Sequence, residues 1–186
     1  MLEDVRVTSG GPLQKALVVD AAFNGGHYSL STIGLWVQTR EGWFHKVVDV
    51  AEHWKWGGGT ARKVSVQAVG NFIVLRTSSS ESHDSYGKGT APPEEHYNQS
   101  DSYLYVRGVG PSGRPGLTST IHVSISKEAE KAEKVLRSAK IECPVNLQPS
   151  GELQIGKPVI TRNMMTEKEF TGAELRTPSG TFQLKF

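Results

Sequence analysis

Short runs of alternating apolar residues, each closed by a turn rich in glycine or proline, recur along the whole chain. Val64, Val66 and Ala68 alternate with Ser65 and Gln67, and Ile121, Val123 and Ile125 alternate with His122 and Ser124. A period of two puts successive side chains on opposite faces of an extended strand, a pattern that a helix cannot bury. Between the runs stand Ser9-Gly10-Gly11-Pro12, Asn24-Gly25-Gly26, Arg40-Glu41-Gly42, Gly70-Asn71 and Pro111-Ser112-Gly113. This punctuation sets about ten short strands and predicts an all-β fold, either a two-sheet sandwich or a Greek-key barrel.

Residues 14–50 read as a meander of three antiparallel strands. Its first strand holds the continuous run Ala16-Leu17-Val18-Val19, which suits a strand covered on both faces. In the next, Ile33, Leu35 and Val37 share one face and Trp36 points the other way. The chain also repeats one turn. Pro149-Ser150-Gly151-Glu152-Leu153-Gln154-Ile155 resembles Pro178-Ser179-Gly180-Thr181-Phe182-Gln183-Leu184, and Pro111-Ser112-Gly113 copies the turn alone. A single full recurrence is too few for a solenoid. It marks a turn chemistry used again, with proline presetting one corner and glycine relaxing the other.

Helical spacing marks residues 127–139. Ala132, Val135, Leu136 and Ala139 fall on one face, Glu130 precedes Lys134 by four residues, Glu133 precedes Arg137 likewise, and Ser126 suits an N-cap. One peripheral helix is predicted there. Thr166 and Glu169 have capping-box spacing and predict a short helix near 165–170.

The stretch 78–102 has no apolar periodicity and reads as a long polar loop interrupting a single domain over 1–186. It is also the acidic part of the chain. Lys88 stands against Glu81, Asp84, Glu94, Glu95 and Asp101, while the flanking segments 1–77 and 103–186 are net basic. The sum is +2, which gives no general attraction for nucleic acid. No apolar run is long enough to span a bilayer as a helix. Met1-Leu2-Glu3-Asp4 is acidic and lacks the hydrophobic segment of a signal peptide; a cytosolic protein and an exported domain with its signal removed both fit. Cys143 is the sole cysteine, so no intramolecular disulfide forms, and Glu142 beside it disfavours a thiolate nucleophile. Phosphate-loop, serine-elbow, His-Glu-x-x-His and EF-hand patterns are absent.

Two places carry chemistry. Glu81, His83, Asp84, Glu94 and His96 would gather carboxylates and imidazoles if the loop folds back on itself. Such a set holds a divalent cation, calcium where oxygen ligands dominate and zinc where both histidines join. At 54–60, Trp54 and Trp56 face the same way on an extended backbone, followed by Gly57-Gly58-Gly59. With Trp36 or Trp43 near, they would form an aromatic platform for a sugar ring or a cation, and Arg62 and Lys63 would hold an anion. The reading is a non-catalytic β-sandwich binding module that contacts a protein or carbohydrate through the 78–102 loop and the 54–60 corner. The alternative is a metal-assisted hydrolase using the carboxylates and histidines of 78–102.

Overall fold

The computed structural model describes residues 2–6, 12–25, 28–54, 60–85, 95–132 and 134–184. Among them every regular element is a strand, and all sheets are antiparallel. The front sheet holds β1 (Leu2–Arg6), β2 (Leu13–Gly25), β3 (Tyr28–Thr39) and β4 (Gly42–Trp54), ordered β1-β2-β3-β4. The central sheet is built from β5 (Thr60–Val69), β6 (Phe72–Ser85), β7 (Glu95–Val109), β8 (Pro115–Lys131), β9 (Lys134–Glu142) and β12 (Val159–Asn163), ordered β12-β9-β8-β7-β6-β5. A small back sheet joins β10 (Val145–Leu147), β11 (Glu152–Ile155) and β13 (Gly180–Gln183). The front sheet and β5 to β9 of the central sheet are up-and-down meanders, and β12 joins β9 by a crossover through the back sheet; the edges stay open among the described residues, so the fold is a sandwich. The meander predicted over 14–50 is β2, β3 and β4.

Two apolar clusters sit on either side of the central sheet. Phe72 and Val74 of β6 face the back, while Ile73 and Leu75 face the front. The front cluster joins them to Leu13, Ala16, Val18, Ile33, Leu35 and Val37 of the front sheet. The back cluster joins β6, β7 and β8 to Leu153, Ile155, Met165, Phe170 and Leu175. Alternation on a strand buried on both sides accounts for this division. One end of the sandwich is tied by the β3–β4 hairpin. There the Thr39 hydroxyl accepts the Glu41 amide at 3.1 Å, and Arg114 pairs with Glu41 at 3.4 Å.

The repeated turn is used as expected in two of its three places. Gly113 and Gly151 have φ +84° and +87°, and each amide donates to the carbonyl three residues back. The strands that follow the two longer copies pair with each other, Leu153 opposite Phe182. These residues occupy the same position in the repeat, so β11 and β13 meet about a local two-fold axis.

Two expectations are corrected. No helix forms over 127–139: β8 runs to Lys131, the chain turns at Ala132 with φ 50°, and β9 returns from Lys134. Helix propensity is worth only about a few tenths of a kcal/mol per residue. Here the ladder from Ser124↔Glu142 to Lys131↔Lys134, with Ala129 and Ala139 buried, outweighs it, while the helical stripe residues Val135 and Leu136 stay exposed. The segment 78–102 is mostly ladder too. Ser78 pairs with Ser102 and the register continues to Ser85↔Glu95; residues 86–94 lie outside the described set. Alternating polarity needs one dry face, and this ribbon is polar on its strand positions, so its sequence carries no strand signal. The short helix near 165–170 is a single turn. One of its two box bonds forms, the Glu169 carboxylate accepting the Thr166 amide at 2.8 Å; the Thr166 hydroxyl donates to the same carboxylate at 2.7 Å, and the Glu169 amide donates to the Thr166 carbonyl at 3.2 Å.

Candidate functional site

The outer face of the front sheet presents an aromatic strip. Burial of Ile33, Leu35 and Val37 against the central sheet turns Trp36 outward. The β3–β4 register then sets Trp36 opposite His45 and Gln38 opposite Trp43. The Trp36 and His45 rings have centroids 4.3 Å apart and planes tilted by 31°. Trp36 is 38% exposed and Trp43 48%, so both indoles meet solvent while their edges rest on the sheet. Val47 continues the strip on β4 and is exposed as well.

Gly34 makes the stack fit. The β3–β4 ladder slips between Ile33 and Gly34, leaving Val48 as the extra residue of a bulge. A β-carbon on Gly34 would stand 3.1 Å from His45 Nε2 and 3.8 Å from Trp36 Nε1. With only backbone there, the imidazole leans over Gly34 and against the indole. On the same face Lys15 pairs across with Gln38, putting a cation and an amide beside the rings. The result is a flat apolar surface with polar groups at its margin, a form suited to the face of a sugar ring.

The central sheet carries a different surface. Ser78, Ser102 and Ser124 stand in one cross-strand row, and Ser80, Ser100 and Ser126 in the next. Five of these six line an open groove of about 520 Å³ together with Arg76, Lys140 and Arg162. Glu142 at its margin bonds both Lys140 and Arg76, the latter at 3.1 Å. Those hydrogen bonds, first that from Lys140, hold the Glu142 carboxyl below its ordinary range against the opposing effect of desolvation. The cations nearest the groove are thus already engaged.

Of the predicted metal residues, Asp84 lies opposite His96, and His96 opposite Glu130, in the register across β6, β7 and β8. Glu81 pairs with Gln99 and His83 with Tyr97. Glu94 lies outside the described residues. No cluster of three metal-ligating side chains occurs among the described residues searched. At the predicted aromatic corner, Trp54 ends β4 opposite Tyr28 and Thr60 opens β5 opposite Glu81. Trp56 and the triglycine lie outside the described residues. Arg62 and Lys63 are neighbours on β5, paired with Ser79 and Ser78.

Sequence reasoning had Trp36 and Trp43 only as additions to the 54–60 corner, and it missed His45 and Gly34. The available signal was Trp43 and His45 flanking Phe44, in a strand that returns past Trp36. Cys143 and His122 have structural settings. Cys143 is buried, and desolvation, then Glu142, raises its thiol pKa. His122 Nε2 lies 2.9 Å from Asp101 Oδ1 and its ring stacks on Tyr103 at 4.4 Å, joining β8 to β7. No described helix is long and apolar enough to cross a membrane. A scan of family models, a search of curated proteins and a search of solved structures each returned no match to this chain.

Proposed function

We propose that the protein is a non-catalytic β-sandwich module that binds carbohydrate on the outer face of its front sheet. Trp36, Trp43 and His45 form the platform, and Gln38 and Lys15 supply polar contacts at its margin. The observation that carries the reading is the exposed Trp36 indole braced by His45 over bare backbone at Gly34. An aromatic held in place before binding loses little conformational freedom when a sugar stacks on it. Support for a hydrolase is weaker, because the sequence carries no serine elbow and no His-Glu-x-x-His or EF-hand pattern.

A glycan array read with the purified chain tests the proposal. Binding to one glycan class, with quenching of tryptophan fluorescence in solution, is the expected result. An array without signal at high protein concentration removes the carbohydrate reading.

A further inference from the structure

We propose that β12 pairs with β12 of a second copy of this chain, so that two six-stranded central sheets continue as one across a two-fold axis. β12 is an edge strand, and all five of its residues are exposed. An open edge presents unpaired N–H and C=O groups that template another strand.

The other edge strands are either shorter than β12 or carry more than one charged residue. β10 and β13 have three and four residues. β1 carries Glu3, Asp4 and Arg6; β4 carries Lys46, Asp49 and Glu52; β5 carries Arg62 and Lys63. Short length and charge are the usual protections of a sheet edge. β12 reads Val-Ile-Thr-Arg-Asn, and its single charge, Arg162, turns back to donate to the Phe170 carbonyl at 3.3 Å. Apolar residues are exposed on both strands at this edge: Val159 is 56% exposed and Met164, just past β12, 81%, and Ile160 on β12 and Val135 and Leu136 on β9 are exposed as well.

The sequence of the strand matches itself. Antiparallel pairing of all five residues about a two-fold sets Thr161 opposite Thr161, Ile160 opposite Arg162 and Val159 opposite Asn163. One step further, Pro158 meets Met164. No like charges oppose each other, and a threonine pair is a favourable cross-strand contact. Closed two-fold dimers built on one self-complementary patch are the commonest oligomers.

Sedimentation equilibrium of the full chain, with Ile160→Lys, Thr161→Cys and Ser112→Cys variants, tests the pairing. Directly opposed strand residues have Cα atoms about 4.5–5.5 Å apart, within disulfide reach. The wild type is expected to dimerise, and Ile160→Lys to weaken the dimer at least tenfold with an unchanged circular dichroism spectrum. Mild oxidation should link Thr161→Cys as a dimer much faster than Ser112→Cys, whose site lies on an exposed turn. Buried Cys143 is common to all forms. If Ile160→Lys does not fold, the crosslinking comparison decides alone. A strictly monomeric wild type, or a dimer whose Thr161→Cys form links no faster than Ser112→Cys, overturns the proposal.

Discussion

Gly151 lies against the ring of Phe72, so close that a β-carbon on the glycine would stand 2.8 Å from Phe72 Cζ. The contact seats the β10–β11 turn of the back sheet on the first residue of β6. Gly151 also adopts φ +87°, where an L side chain is strained. Gly151→Ala is therefore expected to destabilise the fold by about 2–4 kcal/mol, combining backbone strain with overpacking. Urea unfolding measures it as a lower midpoint at constant slope. An unchanged midpoint would show that the back sheet is not seated on Phe72.

On the carbohydrate reading, Trp36→Ala should weaken glycan binding about tenfold or more, or about 1.4 kcal/mol. Gly34→Ala should also weaken it, because the new methyl displaces the His45 ring that braces the indole. Titration calorimetry gives both affinities. Full affinity in Trp36→Ala would place the ligand elsewhere.

Arg107 is a buried liability. It stands opposite Ile73, on the face toward the front sheet, and its Nε and Nη1 atoms are buried without a hydrogen-bond partner. Desolvation lowers its pKa, the direction expected for a partly buried cation. Arg107→Met should raise stability by about 1–3 kcal/mol, since an apolar chain of similar length leaves nothing unsatisfied. A fall in the unfolding midpoint would contradict this account.

Acid should loosen the 164–175 segment first. Glu169 is held below the ordinary carboxylate range by the Thr166 amide and hydroxyl, then by Arg137, whose Nε lies 2.8 Å away. A carboxyl depressed in the folded state stabilises it fully above the unfolded pKa of about 4.3. That contribution disappears as pH falls through the lower folded value. Amide protection factors at Phe170 and Leu175 are expected to fall across this window. In Glu169→Gln protection should be low already at neutral pH and nearly independent of acid. Equal acid sensitivity in the variant would shift the cause to other carboxylates, Glu142 among them.

The sequence by itself determined the strands with one dry face. Ile33-Leu35-Val37 and Val64-Val66-Ala68 show their period because burial demands it, and glycine at 42, 70 and 151 fixed where the chain reverses. The all-β fold and the front meander were legible for that reason. Tertiary structure decided the rest. Residues 127–139 hold local helix signals, yet hairpin pairing of β8 with β9, with Ala129 and Ala139 buried in the back cluster, made them strand. Residues 78–85 and 95–102 show no period at all, and ladders to each other and to β5 and β8 make them extended. The candidate site followed the same rule. Trp36 could be seen to point outward, but its meeting with His45 over Gly34 depends on a bulged hairpin register. Register is a property of two strands together, and neither strand's residues specify it alone.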